Sequence, residues 1–236
     1  MPISNLYTID WGDGNITTTE TSHEYLVADD YEVKISGVVT DFAFNNSGDR
    51  NKILDVSVFG GLEIIDTAFF GCSNFDISAT DIPVVVGLYR VFRNCTSLIF
   101  NSSIANWDTI NVNDFGQWFF NCGLFNYPLT VNTINATDFV QTFFNADGFD
   151  QSLGTWDFSS TETMVNFMTN KTAADYSPTN MDILLNRLDD ATFGFNFDNA
   201  TNVNIGLGTI DYTSAGAVAL ASLISKGFVI AIGNEV

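Results

Sequence analysis

The sequence predicts a mainly β fold with short helices, an α+β chain built on a solenoid of about five to seven stacked coils. Two observations predict it. A Phe-rich turn recurs through the middle of the chain: residues 69–75 read FFGCSNF, 92–98 FRNCTSL, 119–125 FFNCGLF, 143–149 FFNADGF and 167–173 FMTNKTA. Residues outside these copies change pattern, to period-two alternation before them and helical spacing after them.

The leading aromatics Phe69, Phe92, Phe119, Phe143 and Phe167 are separated by 23, 27, 24 and 24 residues. A 20–29 residue period belongs to solenoids of the leucine-rich-repeat type. Four columns run through the copies. Ile65, Leu88, Phe115, Phe139 and Thr163 precede the leading Phe by four, and Cys72, Cys95, Cys122, Ala146 and Asn170 follow it by three. Phe75, Leu98, Phe125, Phe149 and Ala173 follow by six, and Gly71, Asn94, Asn121, Asn145 and Thr169 stand just before the Cys column. A stacked coil needs a wide inward residue, a small residue where the backbone turns and an amide that can bond main-chain groups, so the columns read as ladders of one buried core.

With 236 residues, 46% of them hydrophobic, the chain can bury a sizeable core. The net charge of −20, from 28 acidic and 8 basic residues, repels phosphate backbones and anionic lipid, which argues against nucleic-acid and membrane-surface binding. No run of 18 apolar residues spans a bilayer. The opening MPISNLYTIDWGDGN has neither a basic n-region nor an apolar h-region, so the expectation is a chain without a conventional secretory signal.

Three cysteines cannot close a disulfide set, and their spacing does not fit a zinc site. Sharing one repeat phase, they are expected to stack as small buried hydrophobes.

In chain order, residues 1–38 alternate as short antiparallel strands: Tyr7, Ile9 and Trp11, the turn Gly12-Asp13-Gly14, a Thr-rich strand Ile16–Thr21, then His23, Tyr25, and Tyr31, Val33 and Ile35 before Gly37. Trp11-Gly12-Asp13-Gly14, His23-Glu24-Tyr25 and Tyr31 to Gly37 resemble the C-terminal half of a PKD-type β-sandwich. Asp29-Asp30 stands where such modules turn on Gly, and the strands that would precede Tyr7 are absent, so the resemblance implies half a sandwich whose open face packs on the solenoid or on another chain. His23, the single histidine, is expected to bond a nearby turn. Asp10 and Asp13 flank Gly12 in a pattern open to Ca²⁺ and equally explained by a β-turn.

Residues 39–66 hold a degenerate first coil at Phe42-Ala43-Phe44-Asn45-Asn46-Ser47, a polar loop Asp49–Lys52, and a strand around Ile53 to Phe59. Trp107-Asp108-Thr109-Ile110-Asn111-Val112 and Trp156-Asp157-Phe158-Ser159 lie two periods apart. They resemble the W-D-x-S-x-V step of the repeats in BspA-like leucine-rich surface proteins of bacteria, continued by Phe115 to Cys122 and Met164 to Asn170. This resemblance covers most of residues 39–236 and implies a scaffold that serves many surface functions.

After Pro178, Thr179 or Asn180 is expected to cap a helix with Met181, Leu184, Leu185 and Leu188 on one face. Asn202–Leu207 alternates as a strand. Thr213 is a good N-cap for a second helix, with Ala217, Leu220, Ala221 and Ile224 as its stripe, ending at Lys226 and Gly227; Phe228–Ile232 reads as a last strand. The stretch Tyr212–Ala217 with Leu223–Phe228 looks like the C-terminal cap of the same family, which implies that the chain is complete at that end. The expected organisation is therefore a partial PKD-like β module at 1–38, a leucine-rich-repeat-type solenoid at 39–175 and a helix/strand cap at 176–236.

Nothing in this pattern assigns a catalytic, cofactor or metal residue, so the sequence points away from an enzyme. Asp108 and Asp157 recur in repeat phase as turn residues, Asp189-Asp190 sits at a helix end, and Gly206-Leu207-Gly208 continues into no phosphate-binding fingerprint. A solenoid presenting a rigid surface to a host glycan, a receptor or neighbouring subunits is the expectation. A truncated sandwich on a short capped solenoid without a signal resembles proteins encoded by phages of Bacteroidota-type hosts, which implies a virion component: fibre, decoration or receptor-binding protein. Residues 1–38 would then attach it to other virion proteins or to copies of itself. The alternatives are a bacterial cell-surface adhesin of the same repeat family and a tailspike-like glycan hydrolase using a carboxylate pair.

Overall fold

The computed structural model describes residues 7–236 except Thr19, Val38, Thr40 and Asn101. The first six residues and Thr19, placed above in the N-terminal module, lie outside the described residues.

That module is a three-stranded antiparallel sheet of order β2-β1-β3, formed by β1 (Tyr7–Asp10), β2 (Ile16–Thr17) and β3 (Lys34–Gly37). Asp10 Oδ1 accepts the Gly12 amide, and Trp11 N–H bonds Asn15 O across the turn. The expected Thr-rich strand is short, because β2 pairs with β1 only at Ile16 and Thr17. Tyr31 lies outside β3 and stacks on Tyr25 instead, with ring centroids 4.1 Å apart.

From Phe42 onward the backbone forms tiers joined by parallel hydrogen bonds. Phe44 N–H bonds Ala68 O, Phe69 bonds Val91 O, Phe92 bonds Trp118 O, Phe119 bonds Thr142 O and Phe143 bonds Phe167 O. Two residues either side of each leading Phe, further amides do the same, as Gln117 to Val140 O and Asn121 to Phe144 O, both 2.9 Å. The strands between tiers are minimal pairs: β4 (Asp55–Val56) with β6 (Asp76–Ile77), and β5 (Glu63–Ile64) with β7 (Val84–Val85). The strand expected over Ile53–Phe59 is thus only β4.

The Asn column has a conformational cause. Asn94, Asn121 and Asn145 have φ of 61°, 59° and 56°, and Gly71 has 86°. In this left-handed region Asn is several-fold commoner than most non-glycine residues and Gly is unstrained. A second left-handed column, Thr67, Arg90, Gln117 and Gln141, lies two residues before each leading Phe.

The last copy corrects the expected register by one residue. Phe143 bonds the carbonyl of Phe167, and Met168 N–H continues to Gly206 O, so Met168 and not Phe167 takes the leading place. Asn166 and Asn170 occupy the left-handed positions, with φ of 56° and 74°. Asn enters that region more readily than the β-branched Thr169, and the frame follows the asparagines. The apolar column accordingly continues into Met164, which is fully buried, in place of Thr163, and the cysteine column ends on Lys171 in place of Asn170.

The core is one continuous cluster along the stack, with Phe69, Phe92, Phe119 and Phe143 fully buried. Their rings repeat at 5.9, 5.7 and 5.8 Å, near-parallel. The inner column six residues on adds Phe75, Phe125 and Phe149, stacked on Phe69, Phe119 and Phe143 at 4.6, 3.9 and 4.1 Å. Such offset aromatic pairs add about 0.5–1.5 kcal/mol each beyond their buried area. Cys72, Cys95 and Cys122 are free and buried. Cys95 and Cys122 thiols reach the carbonyls of Phe69 and Phe92 in the preceding tier, at 3.0 and 2.9 Å.

Helix α1 (Pro178–Leu188) is capped by Ser177, which accepts Asn180 N–H, in place of the expected Thr179 or Asn180. Pro178 explains the shift, since it fits the first helical position, where its missing N–H costs nothing. Met181, Leu184, Leu185 and Leu188 face the core. Helix α2 (Ser214–Ser225) is capped by Thr213, but it buries Gly216, Ala219, Leu220 and Leu223, while Ile224 is exposed. The expected stripe of Ala217, Leu220, Ala221 and Ile224 is rotated because α2 packs closely on α1. A Cβ at Gly216 would sit 2.5 Å from Asp182 Oδ1 and 3.0 Å from Leu185 Cδ1. Strands β8 (Asn204–Gly206) and β9 (Val229–Ala231) pair in parallel, and Ile205 bridges back to Met164, so the tier hydrogen bonding runs on between the two helices.

Candidate functional site

The left-handed turns that join the tiers also set what points outward. The residue after each leading Phe emerges on one face, giving a row Phe70, Arg93, Phe120 and Phe144. The Arg93 guanidinium lies 4.1 Å from the Phe120 ring centroid and 5.4 Å from that of Phe70, and Phe120 and Phe144 stack at 4.6 Å within 1° of parallel. Beside this row, Arg90 Nε donates to Gln117 Oε1 at 2.7 Å and Arg93 Nη1 donates to the same oxygen. Gln117 Nε2 in turn donates to Gln141 Oε1 at 2.7 Å. Arg90 also covers the Tyr89 ring at 4.5 Å. On the other side the asparagine amides form a chain, Asn145 to Asn121 at 3.0 Å and Asn121 to Asn94 at 2.9 Å.

Gly71 stands in the asparagine column with no side chain of its own, and the space is taken by Arg50. A Cβ there would fall 2.7 Å from Arg50 Cδ and collide with Asn46 Oδ1. Three of the eight cations in the chain thus converge around two adjacent tiers. Among the described residues the ion pairs are His23–Asp13, Lys34–Glu32, Lys52–Asp49 and Lys226–Asp189, so none of these arginines has a carboxylate within salt-bridge distance. Arg93 Nε is buried without a hydrogen-bond partner. Burial first, and then the neighbouring Arg90 charge, hold the Arg93 guanidinium below its ordinary pKa.

The opposite border of this face is acidic. Asp114 and Asp138 bridge in adjacent tiers and each accepts an amide two residues on, Gly116 and Val140, both at 2.7 Å. Burial chiefly, helped by the facing Asp138 and Asp66, pushes the Asp114 carboxyl up to about 6. Burial raises Asp138 as well.

The residues singled out from sequence lie elsewhere. His23 Nε2 meets Asp13 Oδ2 at 2.7 Å and stacks on Trp11, inside the N-terminal module. Asp13 also accepts Asn15 N–H, and these bonds, His23 first, pull its carboxyl down to about 2. Asp108 and Asp157 accept the amides of Ile110 and Ser159 in turns. Asp189 ends α1 and holds Lys226 at 2.6 Å, while Asp190 accepts Thr192 and Phe193 N–H. Gly206 lies in β8 and Gly208 packs on the Lys171 carbonyl. Burial raises all three thiols, Cys72 to about 12, so none is a ready nucleophile. Among the described residues no His/Cys/Asp/Glu group could hold a metal ion. The arginine face escaped the sequence analysis, although its signal was present: the second letter of each copy, in FF, FR, FF and FF, is large at a position that points away from the core.

The arrangement offers guanidinium and amide donors beside aromatic rings, a surface suited to holding oxygen-rich ligands. A family model described as "Mycoplasma protein of unknown function, DUF285" matches residues 63–181, half of the chain. No curated protein and no solved structure matches.

Proposed function

The chain belongs to the DUF285 family, and from that premise we propose that it is a non-enzymatic recognition or structural protein whose outward ladder rows form its working surface. In this reading residues 39–175 are a leucine-rich-repeat-type solenoid akin to BspA-like surface proteins, closed by the 176–236 cap, and residues 1–38 are a partial PKD-like attachment module. The protein is a virion component, a fibre, decoration or receptor-binding subunit, held to its neighbours through residues 1–38. The observation that carries the recognition role is the arginine face: on a chain of net charge −20, Arg50, Arg90 and Arg93 gather with no carboxylate within salt-bridge distance, Arg90 and Arg93 being held instead by aromatic rings and the Gln117 amide. The attachment role rests on exposed apolar side chains of the N-terminal module: Leu26 is wholly exposed, Val27 largely so, and Val33 and Ile35 nearly half. Mass spectrometry of purified particles tests the assignment, with this chain expected among the virion proteins. Its absence there together with surface labelling of intact bacteria would replace the virion role with that of an adhesin.

A further inference from the structure

We propose that the face formed by Arg50, Arg90 and Arg93 with Asn94 and Gln117 binds an anionic saccharide through an oxyanion on the sugar, a carboxylate or a sulfate ester. The inference rests on the recognition role proposed above and names the ligand class for the same surface.

The arginines are set in place before any ligand arrives. Arg93 is clamped between the Phe70 and Phe120 rings, and Gln117 fixes both Arg90 and Arg93 through one oxygen, while Arg93 Nε is buried without a hydrogen-bond partner. Gln117 is itself oriented by Gln141, so its oxygen faces the cations and its amide faces away. A planar guanidinium held in this way loses little entropy on pairing with an oxyanion, and such charge-assisted bonds are about twice as strong as neutral ones. The remaining carboxylates of the chain do not prevent this, since a Debye length of about 10 Å at 0.1 M salt confines their repulsion to close neighbours. The close neighbour Asp114 is engaged by Gly116 N–H and half-buried.

Saccharide is favoured over acidic peptide by what surrounds the cations. Amides and hydroxyls adjoin the cations, Asn51 with Ser73 and Asn94 with Asn121, and the rings on the same face, Phe70, Phe120 and Phe144, form a half-buried row beside them. Polyhydroxyl ligands use such groups, whereas peptide recognition concentrates its energy in buried apolar anchors.

Isothermal titration of the full chain tests this with four probes: oligogalacturonate, a sulfated dextran oligomer, neutral maltotriose and an oligoglutamate peptide. Binding of at least one of the two anionic saccharides is expected, and which of them binds identifies the oxyanion. Arg90→Gln should weaken it about tenfold, the loss of one charge-assisted pair, while Lys34→Gln, an equal charge change on the N-terminal module, should leave it unchanged. Affinity should fall between about 0.05 and about 0.5 M NaCl. Near-UV circular dichroism checks that each variant is folded, and Arg93→Gln serves as a second variant should Arg90→Gln fail that check. Maltotriose binding as well as the anionic sugars, oligoglutamate competing equally, or Arg90→Gln binding unchanged would each overturn the inference while leaving a recognition role standing. Binding to none of the four overturns it too, and particle composition then decides the role separately.

Discussion

Asp114 and Lys171 are two of the residues whose ionisation the fold works against. Asp114 titrates near 6 in the folded chain against an ordinary 3.8, so the folded state takes up a proton first as pH falls and stability rises across that interval. Asp114→Asn keeps an oxygen for Gly116 N–H and removes the buried charge. It is expected to raise the urea midpoint at pH 7.5 and to leave it nearly unchanged at about pH 4, where the native carboxyl is already neutral. Lys171 ends the cysteine column, fully buried, with Nζ donating to Ala146 O at 2.5 Å. Burial holds its ammonium down to about 8 against 10.5, so protonation costs the folded state most below pH 8 and native stability rises as pH passes from 8 towards 10.5. Lys171→Met should add about 1–3 kcal/mol at pH 7, where it replaces a poorly solvated charge with an apolar chain, and the gain should shrink towards pH 10. Neither residue was legible from sequence. Lys171 was hidden by the one-residue shift in the last copy, and although Asp114 recurs in phase as Asp138, its burial arises only when tiers stack.

At the scale of the elements, the left-handed columns do more than turn the chain. They orient alternate peptides so that their N–H groups all point to the C-terminal tier and their carbonyls to the N-terminal one, as Gln117 to Val140 O, Phe119 to Thr142 O and Asn121 to Phe144 O show. Aligned peptides sum to a dipole, negative here towards the N-terminal tiers, which is the end where Arg50, Arg90 and Arg93 gather. Asn121 joins this backbone role to the amide chain, and two substitutions separate them. Asn121→Gly relaxes φ and loses only the amide chain, whereas Asn121→Ala also pays for the left-handed backbone, so alanine is expected to destabilise by about 1 kcal/mol more than glycine in chemical denaturation. The asparagines, the cysteines and the leading aromatics were visible from sequence because period and residue type coincide at those columns. The strands and helix faces were less so: β4 is only two residues long because pairing is limited to one step per tier, β2 pairs with β1 only at Ile16 and Thr17, and the α2 stripe is set by Gly216 meeting α1, a tertiary contact with no local signature.

Across the whole molecule the governing quantity is the net charge of −20 on a surface where only four ion pairs occur among the described residues. Exposed pairs such as Lys34–Glu32 contribute little, so the folded state carries mutual carboxylate repulsion that the expanded unfolded chain relieves. Screening should therefore stabilise the fold. At pH 7.5 the calorimetric Tm is expected to climb as NaCl rises from about 0.02 to about 0.5 M, where the Debye length shortens from tens of Å to a few. Salt would then act oppositely on the two properties of the chain, strengthening the stack while weakening an anionic ligand at the arginine face. Matching the ionic strength with MgCl₂ separates screening from site binding. Equal Tm curves follow from a diffuse acidic surface, and a larger rise at millimolar Mg²⁺ would instead require a discrete cation site among the carboxylates, for which the Asp114 and Asp138 border is the first place to substitute.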